Sequence, residues 1–153
     1  MGKEKGAPFV SLSPAVVERV MKIGKIKKRD IFYDLGSGDG RLVIAAAMKG
    51  AKAYGVEKDF LRVIYSRLWI RLLRLEKSAK IIHEDLFKVN LKKATVVHLF
   101  LLQSTNDKIE AKLKKELEKG TRVVSTAFEF KRLKLDEIDP RGPIYGPIYL
   151  YRI

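Results

Sequence analysis

The run Asp34-Leu35-Gly36-Ser37-Gly38-Asp39-Gly40-Arg41 is the part of the chain best suited to chemistry. It follows a short apolar stretch, Ile31-Phe32-Tyr33, and leads into Leu42-Val43-Ile44-Ala45-Ala46-Ala47. A strand, a glycine-rich turn and a helix in this order make an elbow that holds nucleosides. Glycine permits backbone torsions and close ligand approach that a β-carbon blocks. The spacing is Gly-x-Gly-x-Gly, whereas dinucleotide sites carry Gly-x-Gly-x-x-Gly. Asp34 and Asp39 sit in or beside the turn. Carboxylates there repel a pyrophosphate, which seeks bare backbone N–H groups at a helix start. They suit a nucleoside without phosphate that carries a cationic amino-acid tail.

S-adenosylmethionine, with adenine, ribose, a sulfonium and an ammonium, is therefore the expected cofactor. In open parallel sheets the ligand lies over the carboxyl ends of the strands, where strand order reverses. Glu57 ends the second strand and is placed to accept from both ribose hydroxyls. Asp85, in His83-Glu84-Asp85-Leu86-Phe87, is placed to accept from the adenine amine with Leu86 against the ring; capping the next segment is its competing role. Asp34 serves either the methionine ammonium or the loop backbone. Gly36, Ser37 and Gly38 pass the methionine part, and Asp39 and Gly40 serve the turn.

The methyl acceptor should meet the sulfonium beyond Leu99-Phe100-Leu101-Leu102-Gln103. Phe100, Gln103 and Asn106 are the candidates for shaping its channel; their competing roles are core aromatic, turn residue and helix-start residue. An Asn- or Asp-Pro-Pro-aromatic motif, which marks amino-directed nucleic-acid methylation, is absent. Carbon-5 cytosine methylation needs a cysteine, and the chain has none. A lysine acceptor has an ordinary pKa of about 10.4, so the site must desolvate it or give its proton a path to solvent. Beyond that, alignment is the main requirement and no general base is obligatory.

The elements holding these groups fit in one domain, since 153 residues suffice for a real core. Ser13 caps a first helix with Pro14 at its first position; its apolar stripe ends near Gly24. Strands are predicted at 31–35, 51–57, 79–83, 95–101, 121–126, about 129–135 and 147–152. Helices are predicted at 41–49, from the Asp59 cap to about Glu76, and at 104–119. Strands alternating with helices imply a mostly parallel sheet covered on both faces, and the last two strands must pair as an antiparallel hairpin. The fold expected is α/β and Rossmann-like, with seven strands. Residues 1–12 form an N-terminal arm and 13–153 a single domain. No lid domain is left over, so the acceptor site is expected to be open to a large substrate.

The net charge of +14 favours anionic partners: nucleic acid, ribosomes, acidic proteins or membrane surfaces. The competing reading is a solvated, lysine-rich surface of thermophile type. No apolar run is long enough for a membrane span, and the start lacks the apolar stretch of a signal peptide. A cytoplasmic monomer with no membrane partner is expected. Without cysteine, and with only His83 and His98, no metal site is expected; both histidines are expected to pack in the core or at an edge.

The residues together resemble the archaeal and mitochondrial single-domain protein-lysine methyltransferases of class I. The resemblance is carried by Pro8-Phe9-Val10, the elbow, Tyr65-Ser66-Arg67, Ser78-Ala79-Lys80, Asp85-Leu86-Phe87-Lys88, Leu113-Lys114-Lys115-Glu116-Leu117, Thr121-Arg122-Val123-Val124-Ser125, Phe128 and Tyr151. It implies that Phe9 and Val10 close over the cofactor and that exposed lysines of proteins are the acceptors, with broad specificity. Departures lie on the acceptor side: Leu101-Leu102-Gln103 stand where a proline is usual, and Thr126-Ala127 where polar or basic residues are. An acidic rim of Asp107, Glu110, Asp136, Glu137 and Asp139 is expected to attract lysine-rich targets. Methylation of RNA or ribosomal components, and nucleoside binding without catalysis, are the alternatives.

Overall fold

Local signals set the first element. In the computed structural model, which describes residues 11–142 and 145–153, Ser13 Oγ accepts from Val16 N and Pro14 opens helix α1 (Pro14–Ile23). The glycine elbow then joins strand β1 (Ile31–Leu35) to α2 (Arg41–Met48). Strand β2 (Lys52–Glu57) runs to Asp59, whose side chain caps α3 (Phe60–Leu72) through Arg62 N at 3.0 Å. There follow β3 (Ala79–His83), β4 (Val96–Leu99), α4 (Gln103–Glu116), β5 (Arg122–Thr126), β6 (Lys134–Asp139) and β7 (Ile148–Arg152).

The seven strands lie in the order β3-β2-β1-β4-β5-β7-β6. The first five are parallel, and β7 is antiparallel to both β5 and β6. Side chains alternate across the sheet as the pleat requires. Phe32 joins Val20, Val43 and Val63 in a core under α1, α2 and α3. Tyr33 and Leu35 face the other way, into a core with Ile109 and Leu113 of α4. Strand order reverses between β1 and β4, where a cleft opens over the strand ends. The chain thus has an α/β, Rossmann-like fold with seven strands and an antiparallel hairpin at one edge. Among the described residues no helix is long and apolar enough to cross a membrane. Phe9 and Val10 lie outside the described residues.

Strand β4 and helix α4 end two to three residues before the expected bounds, and two other elements differ more. Helix α3 stops at Leu72, and Arg74 takes a left-handed conformation at φ +57°. Strand β6 begins at Lys134, not near 129. The preceding residues are held by side chains: Asn106 Nδ2 donates to Phe128 O at 3.3 Å, and Phe130 N donates to Tyr151 Oη at 2.9 Å. Backbone groups satisfied in this way need no ladder partner. Phe130 and Leu133 are buried three positions apart, so the stretch lacks the two-residue burial alternation of a strand.

Gly55 sets how closely the elbow can approach β2. A β-carbon there would lie 2.5 Å from Ser37 Oγ and 2.7 Å from Ile81 Cδ1. Gly55→Ala should therefore destabilise the fold by about 1–3 kcal/mol, read as a lower midpoint in thermal denaturation. An unchanged midpoint would show that the elbow yields freely.

Candidate active site

The elbow is hung on the end of β2. Gly36, Gly38 and Gly40 have φ of +79°, +56° and +84°, a region that L side chains rarely adopt. Gly36 N and Ser37 N both donate to Val56 O, at 2.8 and 3.0 Å. Glu57, only 6% exposed, accepts from Gly38 N through Oε1 and from Asp59 N through Oε2, each at 3.0 Å. One carboxylate therefore fixes the elbow and the approach to α3. Each of its oxygens keeps further acceptor capacity, and Glu57 is on the wall of a cleft of about 810 Å³.

Asp34, Gly36, Ser37, Gly38, Asp85 and Leu86 also line that cleft. Asp85 Oδ1 accepts from Phe87 N at 2.8 Å, so its capping role is present as well. Asp39 is engaged by the Arg41 guanidinium, with contacts of 3.1 and 3.0 Å to its two oxygens. Ser37 Oγ is buried and has no hydrogen-bond partner among the described residues.

Beneath the elbow, Asp34 Oδ1 lies 2.8 Å from His98 Nδ1, and His98 Nε2 lies 2.9 Å from Thr126 Oγ1. An ionised carboxylate can only accept, so Nδ1 carries a proton towards Asp34, and Nε2 is within hydrogen-bond distance of the threonine hydroxyl. The chain of three joins β1, β4 and β5. Burial raises the Asp34 carboxyl above its ordinary range; the His98 hydrogen bond and charge lower it in part, and Glu57 and Asp39 raise it further. His98 is buried as expected, but as a partner of Asp34 on the cleft wall and not as an apolar packing residue. A lone histidine inside the apolar run 95–102 signals a cross-strand partner without identifying it.

The acceptor side is built differently from expectation. Phe100 is on the cleft wall, edge-on to Tyr145 at 6.2 Å between ring centres. Leu101, Leu102, Ala127 and Phe128 continue this apolar wall. Ala127 is held at φ +71°, an uncommon conformation for a residue with a β-carbon. Gln103 and Asn106 are not on the wall. Gln103 Nε2 donates to Asp107 Oδ1 and Glu129 O, both at 2.9 Å. Asn106 is fully buried, and its Nδ2 reaches Ser125 Oγ at 3.1 Å as well as Phe128 O. Both sit on the first turn of α4 facing the β5–β6 connection, which they hold in place. Lys58, Arg62 and Lys108 add basic groups to the wall that the motif did not indicate.

The expected acidic rim does not form. Asp136 pairs with Arg152 at 2.7 Å, Glu137 with Lys25 at 3.8 Å, and Asp107 with Lys131 at 3.5 Å. Asp139 is bound by Arg141 and Arg19, which hold its carboxyl well below the ordinary range. Glu110 is buried, and none of the five is on the cleft wall.

Residues 34–137 match the family model described as the ANTKMT methyltransferase domain. A protein-lysine N-methyltransferase of Saccharolobus islandicus is 39% identical over 150 residues, which cover 95% of this chain and 93% of that protein. The adenine nucleotide translocase lysine N-methyltransferase of Mus musculus is 37% identical over 122 residues, 79% of this chain and 53% of that protein. The chain thus spans little more than half of this mammalian relative. A solved structure described as an RNA methyltransferase from Salinibacter ruber in complex with S-adenosyl-L-homocysteine superposes with a TM-score of 0.90 at 34% identity, covering 94% of each chain.

Asp34 gives a pH test. Its folded pKa is raised, so the folded state holds an extra proton between the ordinary value of about 3.9 and the raised one. Stability should fall as pH rises through that window, and Asp34→Asn should remove the fall in denaturant titrations. A cationic ligand tail favours the ionised form, so affinity for S-adenosylmethionine should rise with pH across the same window. Asp34→Asn should weaken binding about tenfold or more; a pH-independent affinity in the unaltered protein would separate Asp34 from the ammonium.

Proposed function

Because the chain belongs to the ANTKMT methyltransferase domain family, we propose that it transfers the methyl group of S-adenosylmethionine to lysine side chains of proteins. The residues fit the cofactor: a glycine cradle without phosphate-binding character, Asp34 for the ammonium, Glu57 for the ribose, Asp85 with Leu86 for adenine, and the unpartnered Ser37 Oγ. When bound, S-adenosylmethionine supplies an electrophilic methyl group on a sulfonium.

The observation that carries lysine as acceptor is the apolar wall of Phe100, Leu101, Leu102, Phe128 and Tyr145 beside the elbow. Such a wall strips water from an incoming ammonium and lowers its pKa, so the neutral amine with its lone pair becomes accessible. The proton leaves through the open mouth to solvent. Gln103 and Asn106 are positioning residues in this reading, acting through the loop that carries Phe128. The same reading includes a single domain from residue 13, acting as a monomer: a charge of +14 on each chain opposes self-association. The absence of cysteine suits the reducing cytoplasm. An archaeal, thermophilic character rests on the archaeal relative and on ion-pair networks such as Arg19–Asp139–Arg141.

A second reading, methylation of RNA, is favoured by Lys58, Arg62 and Lys108 on the wall and by the description of the Salinibacter relative. Incubation with methyl-labelled cofactor and whole-cell protein and RNA decides between them. Label is expected in protein and at lysine after hydrolysis; label confined to RNA would overturn the lysine reading. Phe128→Ala should lower kcat by about a hundredfold while cofactor affinity stays within a few fold.

A further inference from the structure

Helix α3 is apolar almost all round. Val63, Ser66 and Ile70 face the sheet. On the opposite side Phe60, Ile64, Leu68 and Leu72 form one ridge at four-residue spacing, and a second runs beside it from Leu61 to Leu73. All of these are exposed, Leu61 to 75%, with His83 in tilted ring contact with Phe60 at the N-terminal end of the ridge. Soluble monomers rarely leave so continuous an apolar surface bare.

The charges beside the ridges identify what covers them. From Phe60 to Leu75 the charged residues are Arg62, Arg67, Arg71 and Arg74, with no acid among them. Arg67, Arg71 and Arg74 are exposed. A second copy of the chain, packed helix to helix, would bring two such arginine sets together, each on a chain of charge +14. A partner must instead be apolar within and anionic at its surface. An amphipathic helix with Trp, Phe and Leu on one side and arginines along its borders lies in the interface of an anionic bilayer. We propose that the exposed face of α3 docks this protein onto anionic lipid membranes, lying in the headgroup layer without crossing it. Because only Lys58 and Asp59 separate Glu57 from the start of α3, docking holds the cleft mouth beside the headgroups. The proposal does not depend on which acceptor is methylated.

Trp69 is the only tryptophan and is part of the exposed face, so it reports on docking directly. The full chain is mixed with vesicles of phosphatidylcholine and phosphatidylglycerol in equal parts, and with vesicles of phosphatidylcholine alone. The expected result is co-sedimentation with the anionic vesicles and a blue shift of Trp69 emission. The triple variant Leu61→Ser, Leu68→Ser, Leu72→Ser should bind at least about tenfold more weakly, with an unchanged thermal midpoint and unchanged methyl transfer. Binding without a blue shift, or undiminished binding by the triple variant, would overturn the proposal in favour of simple charge attraction. Absence of vesicle binding together with a concentration-dependent dimer in sedimentation would assign the face to a second copy and overturn it equally.

Discussion

Everything at the cleft depends on the carboxylate of Glu57. It is buried, and a buried carboxylate without donors is strongly unfavourable. Two amides, Gly38 N in the elbow and Asp59 N before α3, satisfy it with charge-assisted bonds. The elbow cannot move without stranding that charge, and neither can the start of α3. Val56 O draws in Gly36 N and Ser37 N next to it, and Gly55 leaves the room for this approach. The residue expected from the sequence to accept from a ribose is thus the clamp that shapes the turn over the cleft.

The strands, the first cap and the place of the elbow at the cleft were legible because they depend on local rules. Strands 31–35 and 79–83 fall where alternation and apolar content put them, and Ser13 and Pro14 open α1 as their chemistry dictates. Residues at strand ends beside a reversal in strand order face the cleft wherever the loops go. The acceptor side depends on bonds between distant residues. Asn106 reaches Phe128 across 22 positions, and Tyr151 reaches Phe130 across 21. No spacing rule reads such pairs, so Gln103 and Asn106 stood as candidates for shaping the channel beside their turn and helix-start roles, and about 129–135 was expected to be a strand. His98 shows the same limit: one polar residue in an apolar strand demands a partner, but only the register of β1 with β4 shows that the partner is Asp34.

Charge has two consequences. The acids that could have drawn in lysine-rich targets are neutralised by arginines and lysines of the same surface, so long-range attraction does not bring such a substrate in. In the proposed reaction, recognition rests on contact at the apolar wall, where removal of water does the chemical work. Elsewhere, α3 has an exposed apolar face with arginines along its borders at one edge of the same cleft.

The central claim is that this acid-flanked cradle takes an adenosyl sulfonium and rejects phosphate-linked nucleotides. Isothermal titration calorimetry with S-adenosylhomocysteine, ATP and NAD at matched concentrations tests it most directly. The account predicts a single saturable site for S-adenosylhomocysteine and no heat of binding for ATP or NAD. Tight binding of ATP or NAD, with none of S-adenosylhomocysteine, would contradict it.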